Sequence, residues 1–295
     1  MVRSETAVSV FGSVYLLMAV LPAAADEWLF DDYDSIKEFV AEIPAEFRST
    51  TLEWQLIALS ESYSSLSGLT RDASGMWLLL KDGTRHLYDD RKKKSAEERI
   101  IKADVEDMFF WIYPLEPVDR VKLRVDPGRA RAESLFKALY GTNAAEVEAN
   151  LVTVSFAGRK IRFNKLNGAS EALKKAGEEL AEAVLKKPEL KGYLENLGGT
   201  FNWRVISGTD RLSAHSFGIA IDLNVKKSKY WKWESKDSLE KFSRKGFPRE
   251  IVEVFERNGF IWGGKWYHFD TMHFEYRPEI ISAAQLQSGR AEKNE

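Results

Sequence analysis

Ser213-Ala214-His215-Ser216-Phe217-Gly218-Ile219-Ala220-Ile221-Asp222-Leu223-Asn224 is the stretch whose pattern decides how this chain folds and what chemistry it can carry. Its second half reads as a strand. Ile219, Ile221 and Leu223 fall on one face by the two-residue period, and Ala220, Asp222 and Asn224 fall on the other. Asp222 therefore points away from the packed face. His215 has the wrong parity to join Asp222 on one straight strand, so Gly218 must bend the chain if both side chains are to reach one point.

A second cluster lies further on, in Trp262-Gly263-Gly264-Lys265-Trp266-Tyr267-His268-Phe269-Asp270-Thr271-Met272-His273-Phe274-Glu275. The chain has 4 histidines, His86, His215, His268 and His273, and no cysteine. Any metal must then be held by imidazole and carboxylate, with no disulfide or thiolate chemistry available. Catalytic zinc sites take three such protein ligands and leave one position for water. This census permits one site, with His273 as its third ligand. Asp270 sits close enough to take a proton from the water that the metal activates without itself holding the metal.

Taken together, Ser213-x-His215-x-x-Gly218-x-Ala220-x-Asp222 and Asp270-x-x-His273-Phe274-Glu275 resemble the zinc D-alanyl-D-alanine carboxypeptidases of the VanY and VanX type. They are closer still to the L-alanyl-D-glutamate endopeptidases of the same group, which carry Asp in the D-x-x-H element where VanX-type enzymes carry Glu. Two separate elements match in order and in chemistry, over about Gly198 to Pro278. The resemblance implies Zn2+ held by His215, Asp222 and His273, with Asp270 as catalytic base. Arg204 stands where the family has an arginine ahead of the ligand motif, and its guanidinium suits a substrate carboxylate or a developing oxyanion. Ser213 would support the site by hydrogen bonds, and Arg211 is a second candidate for substrate contact. The implied substrate is a peptidoglycan stem peptide, cut either at terminal D-Ala-D-Ala or between L-Ala and D-Glu.

Other residues carry two readings. Trp266 is the tryptophan placed nearest the substrate; most of the 9 tryptophans read as core or cleft walls rather than a sugar-stacking platform. His268 shares strand parity with Asp270 and reads equally as a cleft residue or a packed one. Glu275 shares parity with His273 and either orients that ligand or is simply solvated. His86, in a hairpin, reads as structural. A competing function is a zinc-stabilised cell-wall binding module without catalysis, which would need neither Asp270 nor Arg204.

Composition sets the frame. The chain has 295 residues, 44% hydrophobic and 30% charged, as expected of a protein with a sizeable core. Its net charge of -2 argues against nucleic acid as a partner. Residues 1–25, with Arg3, an apolar run and Ala23-Ala24-Ala25, read as a signal peptide, and an uncleaved anchor is the alternative. The remainder is then exported, periplasmic or extracellular, without stable membrane insertion after cleavage.

The expected fold is α+β: a small, mostly antiparallel sheet carrying the zinc site, helices on one face, and an N-terminal α/β extension. The expected division is an extension over 26–197, a peptidase core over 198–280 and a frayed polar tail over 281–295. Periodicity and turn signals suggest helices over 33–47, 52–66, 128–140, 144–150, 170–185 and 248–258. Strands are expected over 76–80, 86–88, 151–156, 160–164, 201–206, 218–224, 260–262 and 272–276. Arg91-Lys92-Lys93-Lys94 reads as a solvated loop.

Overall fold

The structure is a computed structural model that describes residues 26–29, 33–42 and 52–291; the expected signal segment 1–25 lies outside the described residues. The chain begins with β1 (Asp26–Leu29), α1 (Tyr33–Glu42) and α2 (Leu52–Ser62), followed by β2 (Leu66–Asp72), β3 (Gly75–Leu80), β4 (Arg85–Asp89) and α3 (Ala96–Ile101). After a long irregular stretch come α4 (Glu133–Tyr140), α5 (Ala144–Ala149), β5 (Leu151–Phe156), β6 (Arg159–Asn164) and α6 (Ala169–Lys186). The last third holds β7 (Ala220–Asp222), α7 (Lys236–Leu239), α8 (Arg249–Arg257), β8 (Phe260–Trp262), β9 (His273–Tyr276) and α9 (Pro278–Ala291).

The architecture is α+β, with three small antiparallel sheets among the described residues: β1-β2-β3-β4, the β5-β6 hairpin, and β7-β9-β8. In the third sheet the period of two decides everything. Phe274 and Tyr276 of β9 turn into the apolar core, where Phe274 stacks on Phe255 at 4.1 Å, while His273 and Glu275 turn to the opposite face. Burying a ring such as Phe274 contributes about 2–3 kcal/mol, so a one-residue slip of this strand would forfeit its core contacts and remove both polar groups from the site. The N-terminal strands do not extend this sheet. They form their own, yet one apolar cluster runs without a break from Ile36 and Leu56 through Phe163 and Leu173 to Ile221, Phe274 and Ile281.

Several expectations need correction. Helix 128–140 begins only at Glu133; the residues before it are irregular and carry the polar groups described below. Segment 201–206 is not a strand but a loop with one isolated bridge, Val205 to Leu212. The tail beyond 280 is not frayed over its length. Pro278, which lacks an N–H and has a preset φ, opens α9 instead of ending the chain's structure, and Ile280, Ile281, Ala283 and Ala284 are buried. Lys94 is not solvated: its side chain is 8% exposed and its ammonium lies 2.6 Å from both Asp104 and Asp107. That lysine, with Arg99 on Asp107 at 2.5 Å, supplies the cations for the acidic cluster at Asp90, Asp104, Glu106 and Asp107.

Candidate metal centre

His215 sits in a short 3-10 turn, Ala214–Phe217, whose start is capped by Ser213: the Ser213 hydroxyl accepts from the His215 N–H at 3.3 Å. The turn ends at Gly218 with φ of 65°, the left-handed conformation that reverses chain direction before β7. This is the bend that the strand parity demands. A Cβ there would lie 2.5 Å from Cδ2 of Leu151, so the site is closed to other residues by space as well as by φ. Ser216 fixes the neighbouring loop, accepting from the Arg204 N–H at 2.9 Å and donating to the Arg204 carbonyl at 2.8 Å.

Asp222 and His273 are direct partners across β7 and β9. Asp222 Oδ1 lies 3.2 Å from His215 Nε2 and 3.1 Å from His273 Nδ1, and one atom from each of the three residues falls within 4.8 Å of the others. The far nitrogens set the tautomers. His215 Nδ1 donates to the Thr200 carbonyl at 3.2 Å, and His273 Nε2 faces Glu275 Oε2 at 3.0 Å. Each neutral imidazole then aims a lone pair at the Asp222 carboxylate, a set that repels unless a proton or a cation lies between. Without metal a proton serves: the hydrogen bonds to Asp222 and Glu275 outweigh burial and push His273 up to about 10. Burial would raise the Asp222 carboxyl, but its contacts with His215 and His273 hold it well below the usual carboxylate range. Two imidazoles and one carboxylate converging on one point suit zinc.

Asp270 lies beside this cluster. Its Oδ1 is buried without a hydrogen-bond partner among the described residues, and burial, with Asp222 nearby, pushes its pKa up to about 7. The loop that carries it closes through Gly263, whose carbonyl accepts from the Asp270 N–H at 3.0 Å; a Cβ on Gly263 would come within 2.6 Å of the Asp270 carbonyl oxygen. The Gly263-Gly264 pair is thus a packing device under Trp262 and Trp266.

His215, Asp222, His273 and Asp270 line a cleft of about 340 Å³ together with Arg129, Arg131, Arg204, Tyr230, Trp231, Trp233, Trp266 and His268. Trp266 forms a wall, its indole N–H donating to the Pro127 carbonyl at 2.8 Å. His268 also lines the cleft, with Nδ1 at 2.7 Å from Asp126. Burial raises the Asp126 carboxyl, but the His268 hydrogen bond and Arg129 more than offset it and hold it below the usual range. Arg204 is exposed on the rim. Arg211 is not brought to this cleft. It is buried elsewhere, donating to the Arg129 carbonyl at 3.2 Å, and burial together with Arg131 and Arg129 lowers its pKa to about 9.

Arg129, Arg131 and Asp126 escaped the sequence reading because they lie in irregular backbone, where no periodicity marks which side chains converge. A larger cavity of about 470 Å³ lies around Phe247, Val252 and Trp262, but its buried Lys265 and Glu256 are already paired at 2.6 Å and no metal ligand reaches it. Among the described residues no helix is long and apolar enough to cross a membrane.

No curated protein and no solved structure matches the chain. Residues 207–276, the segment that holds His215, Asp222, Asp270 and His273, match the family model described as D-alanyl-D-alanine carboxypeptidase.

Proposed function

We propose that the protein is an exported zinc-dependent peptidase that hydrolyses a peptide bond in peptidoglycan stem peptides. The observation that carries this reading is Asp270: a buried carboxyl oxygen without a partner among the described residues, next to three converging atoms of candidate metal ligands. A purely structural zinc site has no use for it, and an unpartnered buried oxygen costs about 1–3 kcal/mol, which favours the enzyme over the binding module.

His215, Asp222 and His273 would hold the ion through Nε2, Oδ1 and Nδ1. Zinc bound there would supply Lewis acidity, polarising the scissile carbonyl and making water acidic near neutral pH. Asp270 takes the proton of the attacking water on its free Oδ1. A carboxyl whose pKa lies near 7 can hold that proton and pass it to the leaving amine. Of the arginines lining the cleft, Arg129 is paired with Asp126 at 3.1 Å and Arg131 with Glu275 at 2.9 Å, whereas Arg204 has no carboxylate partner among the described residues. Arg204 is therefore the cation free to meet the oxyanion or a terminal carboxylate of the substrate. Such a cation on the rim supports removal of a terminal D-Ala over cleavage between L-Ala and D-Glu.

Digestion of purified muropeptides by the zinc-loaded chain, with products identified by mass spectrometry, tests the reading. Loss of one terminal alanine is the expected result, and release of the stem from L-Ala would move the assignment to an endopeptidase. No cleavage, with wild type indistinguishable from Asp270→Ala, would favour the binding module.

A further inference from the structure

His273 is held from behind by Glu275, and Glu275 in turn by a residue outside the matched segment. Its Nε2 faces Oε2 of Glu275, which is 0% exposed. One guanidinium nitrogen of Arg131, Nη1, reaches both oxygens of that carboxylate, at 3.1 Å to Oε1 and 2.9 Å to Oε2. Arg277 also reaches Glu275, but only at Oε1, at 2.9 Å, and its Nε is committed at 2.5 Å to Glu279, which accepts in turn from the Tyr63 hydroxyl at 2.7 Å. Among the described residues, Arg131 is thus the cation on the oxygen that carries the His273 bond.

Arg131 belongs to the irregular stretch before α4, and its Nη2 lies 3.5 Å from the Leu212 carbonyl. We propose that Arg131 is a positioning residue for the metal centre, clamping Glu275 so that the His273 imidazole keeps Nδ1 aimed at Asp222. The inference rests on the reading that His273 is a metal ligand. The physical ground is that a buried carboxylate without its cation is costly and free to rotate, and an imidazole that loses its orienting partner binds metal less well. The metal centre is then completed by a side chain that the 207–276 segment does not contain, which gives the N-terminal region a role in metal binding.

The test uses the full chain stripped of metal, titrated with zinc against a chromophoric chelator and with cobalt followed by visible absorption. Arg131→Met, which removes the cation and keeps much of the volume, is expected to weaken zinc binding about 10- to 100-fold and to shift the cobalt spectrum. Arg131→Lys keeps the buried charge and hence the fold, and is expected to weaken binding by less. Arg211→Lys, at a neighbouring buried arginine that touches no ligand, is expected to bind zinc as wild type does.

A folded Arg131→Met chain with wild-type affinity and spectrum would overturn the proposal. Should Arg131→Met not fold, wild-type affinity and spectrum in Arg131→Lys would overturn it instead. Neither readout needs a wall peptide. A wild type that binds zinc but cuts no muropeptide overturns the peptidase reading alone, and the affinity ratios still decide this one.

Discussion

Asp222 and His273 stand opposite each other on β7 and β9, and one oxygen of that aspartate, Oδ1, lies 3.1 Å from His273 and 3.2 Å from His215. Strand register therefore places two candidate metal ligands together, and the Gly218 turn brings His215 to them. In the metal-free chain that carboxylate faces both histidines, and the proton held on His273 partners it from one side.

Removing zinc with a chelator is accordingly expected to abolish hydrolysis without unfolding the protein. Ligand linkage contributes about 4 kcal/mol when free zinc exceeds the dissociation constant about 1,000-fold, so the melting temperature should rise with zinc concentration. Calorimetry with and without chelator checks this. A chain that unfolds outright on metal removal would show that the cluster depends on the ion for its fold.

Asp270→Asn separates catalysis from stability. It is expected to lower the turnover number by about 10²- to 10⁴-fold while zinc still binds. In the metal-free protein it should also stabilise. The folded state holds the Asp270 proton up to about pH 7, whereas the unfolded chain releases it near the ordinary aspartate value of 3.8, so wild-type stability falls as pH rises between those values. The variant lacks this loss. Its melting temperature should match wild type near pH 4 and exceed it by several degrees above pH 7, in thermal melts across that range.

Gly218→Ala tests the bend. With φ of 65° and a Cβ driven to 2.5 Å from Leu151, it is expected to cost about 1–3 kcal/mol and to weaken zinc binding by displacing His215. Denaturant titration gives the first value and metal competition the second.

Arg204→Ala is expected to leave the melting temperature within about a degree of wild type, because its guanidinium is exposed and makes no ion pair among the described residues. Loss of a cation aimed at developing charge should lower kcat/KM by about 10²- to 10³-fold. Steady-state kinetics on a D-Ala-terminated peptide checks it, and an unchanged kcat/KM would remove Arg204 from the site.

The convergence of His215, Asp222 and His273 was legible because ligand chemistry restricts a candidate metal site to His and carboxylate, and the chain offers few histidines in the right order. The parity conflict between His215 and Asp222 even located the turn at Gly218. Legibility failed where no period or spacing rule applies. Arg131 and Asp126 act from irregular backbone, and their partners Glu275 and His268 are remote in sequence. Lys94 was misread because a basic run beside acidic residues has the same pattern whether it is solvated or, as for Lys94, folded onto Asp104 and Asp107. α9 was missed because Pro278 and the polar final residues outweighed four buried apolar positions, Ile280, Ile281, Ala283 and Ala284.

Zinc-dependent catalysis by this centre is tested by titrating the metal-free chain with zinc while following hydrolysis of a D-Ala-D-Ala-terminated wall peptide. Activity should appear with zinc and saturate at one equivalent, and Asp270→Asn should bind the same equivalent yet stay inactive. Hydrolysis that persists without metal, or a fully active Asp270→Asn chain, would contradict the account.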